Sequence, residues 1–165
     1  MQKITPFLWF DSEAEEAARF YASIFRNSAI GQRYYYDAAS AQAAGRPEGS
    51  VMTIAFTLDG QDFVALNDGP GFRFNESISF VVNCDSQEEL DRLWERLTEG
   101  GAPVQCGWLK DKFGISWQIV PSDLNELVSG PDPTRAQRAM GTLMQMQKID
   151  MTQLRMAYHQ EERPH

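Results

Sequence analysis

Ser77-Ile78-Ser79-Phe80-Val81-Val82-Asn83-Cys84, running on into Asp85-Ser86-Gln87-Glu88-Glu89, decides the fold class. The first eight residues read as a strand with Ile78, Phe80 and Val82 on one face. Asp85-Ser86 reads as a helix cap, with a Glu three residues after the Ser to reach back to a free N–H. Leu90, Leu93, Trp94 and Leu97 follow at helical spacing, and Gly100-Gly101 ends the helix. The same arrangement stands near the N-terminus. Residues 4–10 form an apolar β-type run ending at Asp11-Ser12, and Ser12-Glu13-Ala14-Glu15 reads as a capping box. Ala14, Ala17, Ala18, Tyr21, Ile24 and Phe25 then make a helical stripe closed by Asn27-Ser28. The caps align at an offset of 74 residues (Ser12 with Ser86) and the stripes at 73 (Ala17 with Leu90). One strand–helix unit is used twice, with a one-residue indel.

After each helix the apolar period changes from 3.6 to 2. In the first half Ile30–Asp37, Val51–Leu58 and Phe63–Leu66 read as strands, with Asp59-Gly60 as a hairpin turn. In the second half Pro103–Cys106, Trp108–Lys110 and Ile115–Val120 are the candidates, with a turn near Phe113-Gly114. The short connections imply antiparallel pairing. The predicted fold class is α+β, in a single domain over residues 1–165. Its parts are module 1 over about 1–67, a linker over 68–76, module 2 over about 77–121 and C-terminal helices over 122–158.

Ala38–Ser50 is rich in Ala, Gly and Ser and reads as a mobile loop, either plain surface or a lid. Asn67–Phe74 joins the halves, and its Phe72 and Phe74 are expected to dock onto the domain. Asp132-Pro133 opens a helix with an N-cap followed by Pro at the first helical position. Ala136, Ala139, Met140, Leu143 and Met144 form its apolar stripe, which packs on the sheet or offers a partner surface. A second short helix is expected from near Asp150, with the tail fraying from His159 onward.

With 165 residues, 42% hydrophobic and 12% aromatic, the chain can bury a real core. A net charge of −8 disfavours contact with a phosphate backbone, which needs clustered Lys and Arg. Cys84 and Cys106 are too few for a disulfide framework and read as free thiols. The N-terminus lacks a signal-peptide pattern, and no stretch approaches the ~18–20 apolar residues of a membrane span. A cytoplasmic location is expected.

Metal and acid–base chemistry usually needs histidine, and only His159 and His165 are present, both near the end of the chain. That disfavours a His-based metal site or a Ser-His-Asp triad. Asp37, Asp59, Asp62 and Asp68 stand at strand ends, where turn chemistry accounts for them. No glycine-rich phosphate loop opens a helix; Gly69-Pro70-Gly71 leads into an aromatic loop. Gln118 inside an apolar strand requires partners. Its outlets are water, an internal hydrogen-bond network, or a ligand cavity.

Several segments together resemble the PhnB-like family. They are Gly107-Trp108-Leu109-Lys110-Asp111-Lys112-Phe113-Gly114-Ile115-Ser116-Trp117-Gln118-Ile119-Val120-Pro121, Phe7-Leu8-Trp9-Phe10-Asp11 with Glu15-Glu16-Ala17-Ala18 and Phe20-Tyr21, the middle loop with Asn67, Gly69-Pro70, Phe72 and Phe74, and Met144-Gln145-Met146-Gln147-Lys148-Ile149-Asp150. The resemblance places the chain in the vicinal oxygen chelate superfamily, with glyoxalase I and bleomycin-resistance proteins. It implies two βαβββ modules in an open, curled mixed sheet with a cleft, commonly as homodimers. Enzymes of that superfamily hold a divalent metal with His and Glu. The positions carried over here are Thr5 or Pro6, Leu66 or Asn67, Ser77 or Ser79, and Gln118, none of which is a His or carboxylate. Neutral oxygens alone make a poor divalent site. The family's frequent label, demethylubiquinone methyltransferase, implies a site for S-adenosylmethionine that no glycine-rich turn here provides.

The expected function is binding of a small organic ligand without metal or cofactor, by Trp9, Asn67, Ser79, Trp108 and Gln118. The aromatics would stack on the ligand, and Asn67 and Gln118 would hydrogen-bond it. No catalytic residue is identified. Nucleic acid and membrane are not expected partners, and a homodimer is. The competing readings are a metal-free enzyme using Asp111 as its carboxylate and a dimeric interaction protein whose cleft is vestigial.

Overall fold

Ile54, Phe56 and Leu58 alternate with Thr53, Ala55 and Thr57, and that period of two builds the first sheet of the computed structural model, which describes residues 2–160. The chain divides into two compact units between Phe74 and Asn75.

The first unit runs β1 (Phe7–Phe10), α1 (Ala14–Ile24), β2 (Ala29–Tyr35), α2 (Ala38–Ala44), β3 (Val51–Leu58) and β4 (Gln61–Asn67). Its sheet has the order β1-β4-β3-β2, with β1 parallel to β4 and the other pairs antiparallel. Short connections account for the hairpins, while the helical crossover returns β1 beside β4 in parallel, so the sheet is mixed rather than wholly antiparallel. Asp59 (φ 48°) and Gly60 (φ 78°) make the predicted hairpin turn, with the paired positive φ values of a type I′ turn. Ala14, Ala17, Ala18, Tyr21 and Ile24 of α1 are buried, as are Leu8, Phe10, Ile54, Phe56, Phe63 and Ala65 of the sheet. Tyr21 stacks on Phe56 and Phe56 on Phe63, with centroids 6.3 and 5.4 Å apart. Each such buried large side chain contributes roughly 1.5–3 kcal/mol.

Two local expectations are corrected here. Ser12 and Glu15 do not form the capping box. Asn67 Oδ1, at the end of β4, accepts from Ala14 N at 2.8 Å, and Glu15 instead takes Arg33 Nε at 2.9 Å. A side chain distant in sequence has replaced the local cap. Nor is 38–50 a loop throughout. Asp37 caps α2 by accepting from Ser40 N at 2.8 Å, Ser40 Oγ accepts from Asp37 N at 3.0 Å, and Gly45 (φ 67°) ends it. Alanine's high helix propensity, read as loop composition, sustains the turn between those caps.

The second unit repeats the plan: β5 (Ser79–Cys84), α3 (Gln87–Thr98), β6 (Ala102–Pro103), β7 (Trp108–Lys110) and β8 (Ser116–Pro121). The order β5-β8-β7-β6, with β5 parallel to β8, is that of the first sheet, as a duplicated strand–helix unit requires. Ser86 accepts from Glu89 N at 3.1 Å, and the Glu89 carboxylate reaches back to Asp85 N at 3.1 Å. Leu90, Leu93 and Leu97 are buried, with Trp117, Leu109 and Ile119 from the sheet. β6 is shorter than predicted, two residues against four.

Three helices follow: α4 (Leu124–Ser129), α5 (Pro133–Leu143) and α6 (Met151–His159). Asp132 caps α5 with Pro133 in its first turn, and Asp150 caps α6 by accepting from Gln153 N at 3.0 Å, both as expected. Ala136, Ala139 and Leu143 are buried, while Met140 and Met144 of the same predicted stripe stay exposed. His159 is the last residue of α6, with its ring edge-on to Tyr158, and the tail beyond Gln160, His165 included, lies outside the described residues. The segment before α6 is tied to the second unit's own sheet. Cys106 N donates to Met146 O and Gly107 N to Gln147 O, both at 2.8 Å. Gln87 brackets the next turn, donating to Ile149 O at 3.0 Å and accepting from Met151 N at 2.7 Å.

Cys84 is buried, and burial first, then the nearby charges of Glu89 and Asp85, push its thiol up to about 12. Cys106 is half-buried. At pH 8 a thiol reagent such as iodoacetamide should therefore label one cysteine in the folded protein, Cys106, and both after unfolding in urea. Peptide mapping that found Cys84 modified under native conditions would contradict this assignment.

Candidate functional site

Strand alternation gives each sheet a face turned from its first helix. In the second unit Phe80, Leu109, Trp117 and Ile119 belong to the α3 side, which leaves Ser79 and Val81 of β5, Trp108 and Lys110 of β7, and Ser116 and Gln118 of β8 on the other. Register arranges these in two rows. Ser116 lies between Ser79 and Lys110, and Gln118 between Val81 and Trp108. Gln118 Nε2 donates to Ser79 Oγ at 2.9 Å, tying one row to the other. Lys110 pairs with Glu76. Ser116 is 1% exposed, and its hydroxyl has no hydrogen-bond partner among the described residues.

Three of the five sequence-predicted residues, Ser79, Trp108 and Gln118, thus share one face. Trp9 stands on the corresponding face of the first unit. Its Nε1 donates to Gly69 O at 2.9 Å, and Phe72 meets it edge-on at 4.8 Å. Phe74 meets Phe10 at 5.2 Å, so both linker aromatics dock as expected. Asn67 points to the α1 side instead. It is 7% exposed, its Oδ1 caps α1, its Nδ2 donates to Val51 O at 3.3 Å, and its own carbonyl accepts Tyr36 Oη at 2.5 Å. Both polar atoms of that side chain are engaged in holding unit 1 together.

Asp111 is similarly committed. At 3% exposure its Oδ1 accepts from Phe113 N (2.8 Å) and Ile115 N (3.0 Å), and its Oδ2 accepts from Trp117 Nε1 (2.9 Å). It locks the β7–β8 turn and orients an indole of the core. Sequence reasoning passed over Ser116, although period two from Gln118 leads directly to it. It also passed over Arg46 and Tyr36, which no motif flags. Among the described residues, no three His, Cys, Asp or Glu side chains converge as a metal site, and no helix is long and apolar enough to cross a membrane.

A family model described as 3-demethylubiquinone-9 3-methyltransferase matches residues 2–120. The chain belongs to that family. A PhnB protein from Bacillus cereus is 37% identical, with a TM-score of 0.63, over 71% of this chain and 97% of that one. Protein PA1353 from Pseudomonas aeruginosa shares the fold at 20% identity and a TM-score of 0.55, over 71% of this chain and 95% of its own. A glyoxylase/bleomycin resistance protein/dioxygenase domain from Frankia sp. EAN1pec aligns at 19% identity and a TM-score of 0.43, over 71% and 94%. No curated protein matches the chain. The family match ends before α4.

Proposed function

We propose that this member of the family binds a small organic molecule without a metal, on the face of the second unit that carries Ser79, Trp108, Ser116 and Gln118. The observation that carries the reading is the polar set on that face. Gln118 Oε1 accepts no hydrogen bond from the described residues and Trp108 stands beside it in register, while Ser116 Oγ, also without a partner among them, is buried. Unmatched polar groups next to an aromatic ring suit a ligand that pairs a flat apolar body with one or two polar atoms. Trp9, with Phe72 against it, is a second aromatic element of the same kind in the first unit.

The residues do not fit the divalent cation of the superfamily's enzymes. Ser79 and Gln118 offer neutral oxygens, Leu66 offers none, and the Gln118 amide turns its N–H toward Ser79. No charge offsets dehydration of an ion there. The family's name gives methyl transfer no support from these residues either, because β1 runs into Asp11-Ser12-Glu13 rather than a glycine-rich turn. The three hydrogen bonds that Asp111 accepts in the β7–β8 turn count against it as the base of a metal-free enzyme. A homodimer in the cytoplasm remains the proposed setting, and sizing chromatography should return about twice the mass of one chain.

A thermal-shift screen with aromatic and amphipathic molecules tests the reading. A ligand at 100 times its Kd adds about 2.7 kcal/mol to the folded state. The Ser79→Ala/Gln118→Ala double variant should lose most of that shift while keeping its own melting temperature within a few degrees. An undiminished shift in the double variant sinks the assignment.

A further inference from the structure

We infer that Arg46 marks a separate subsite in the first unit, one that takes the carboxylate of a small organic acid. Its side chain is only 20% exposed, yet its one ionic contact among the described residues is Nη1 to Asp11 Oδ1 at 3.5 Å, too long for a good hydrogen bond. Its Nε is buried and donates to nothing among the described residues. A guanidinium carries five N–H donors, and a mostly buried one is normally matched on several of them. Here the fork is nearly empty.

Its surroundings describe the missing partner. Asp11 has a side chain 47% exposed, so it can swing to water and yield its place. Arg46 Nη1 reaches the Gly69 turn, where a β-carbon added to the glycine would lie 3.8 Å from it, and Gly69 O holds the Trp9 indole. Phe72, packed edge-on against Trp9, is 68% exposed, so most of its ring is open to a partner. A planar oxyanion matches the fork in two parallel hydrogen bonds, and a flat apolar body attached to it covers the Phe72 ring. Asp68, within 3.4 Å of Tyr36 Oη, adds negative charge to the same end of the unit and sets a limit on affinity. The occupant is therefore a monoanion. Arg46 is exchanged from a poorly placed carboxylate to a better one.

Benzoate, its neutral analogue benzamide and inorganic phosphate are the probes, read by calorimetry and thermal shift on the full chain. Benzoate should bind with millimolar or better affinity, and benzamide and phosphate at least tenfold more weakly. Asp11→Asn removes the competing carboxylate and should tighten benzoate at least threefold, and Arg46→Gln should weaken it at least tenfold. The Ser79→Ala/Gln118→Ala variant should bind benzoate as the parent does, which separates this subsite from the face proposed above. Benzoate affinity unchanged by Arg46→Gln, lost with Ser79 and Gln118, or absent even in Asp11→Asn would each overturn the inference. Phosphate binding equal to benzoate would overturn the aromatic half of it.

Discussion

Asp111→Ala should lower the unfolding free energy by about 3–5 kcal/mol, enough to remove a large part of a small domain's stability. Three donors lose their acceptor at once: two backbone N–H groups of the β7–β8 turn and the Trp117 indole N–H. The site is almost wholly buried, so water cannot replace the carboxylate without opening the turn. Asp111→Asn keeps the shape and one acceptor oxygen but turns an amide N–H toward one of the donors, and should lie between parent and alanine variant. Urea unfolding followed by tryptophan fluorescence measures both. A loss below about 1 kcal/mol for the alanine variant, no more than one ordinary hydrogen bond, would show that the turn is held by its backbone bonds alone.

Asn67→Ala comes next, with an expected loss of about 2–4 kcal/mol. The substitution removes the cap on the Ala14 N–H, which is buried, and the donor to Val51 O, which is part-buried. Hydrogen exchange should show the first turn of α1 opening most, because its own N-cap residue, Glu13, makes no side-chain capping bond. Ligand affinity at the second unit should be unchanged once the lower stability is allowed for. If affinity fell and stability did not, Asn67 would be a ligand-binding residue after all. Asn67→Asp can still accept from Ala14 N but cannot donate to Val51 O, and should recover part of the loss.

The two substitutions mark where sequence reasoning stopped. Strands, both main helices and the Asp59-Gly60 turn were legible because each follows from the spacing of neighbouring residues. The duplication was legible for the same reason, as caps and stripes recur at nearly constant offset. What Asn67 and Asp111 do was hidden, since a polar residue at a strand end reads equally as ligand contact, turn former or distant cap. Only folding brings Asn67 beside Ala14, 53 positions away. Ser12 and Glu15 satisfied the local pattern for a cap and were displaced by that distant contact. Helix α2 was hidden differently, in that an Ala-rich run between Asp37 and Gly45 has helical propensity but no apolar stripe. The face with Ser79, Trp108 and Gln118 was half legible, through one glutamine out of place in an apolar strand.

The tie between Cys106-Gly107 and Met146-Gln147 bears on how this protein can be cut. The family match stops at residue 120, and a fragment ended there would look complete by homology. It would leave two amides without acceptors and strip Ile149 from over Gly107, where the contact is too close to admit even a methyl group. The clasp belongs to the folding unit although it lies beyond the matched residues 2–120. Anyone trimming or fusing this chain should keep everything through α6 and make the joins beyond it.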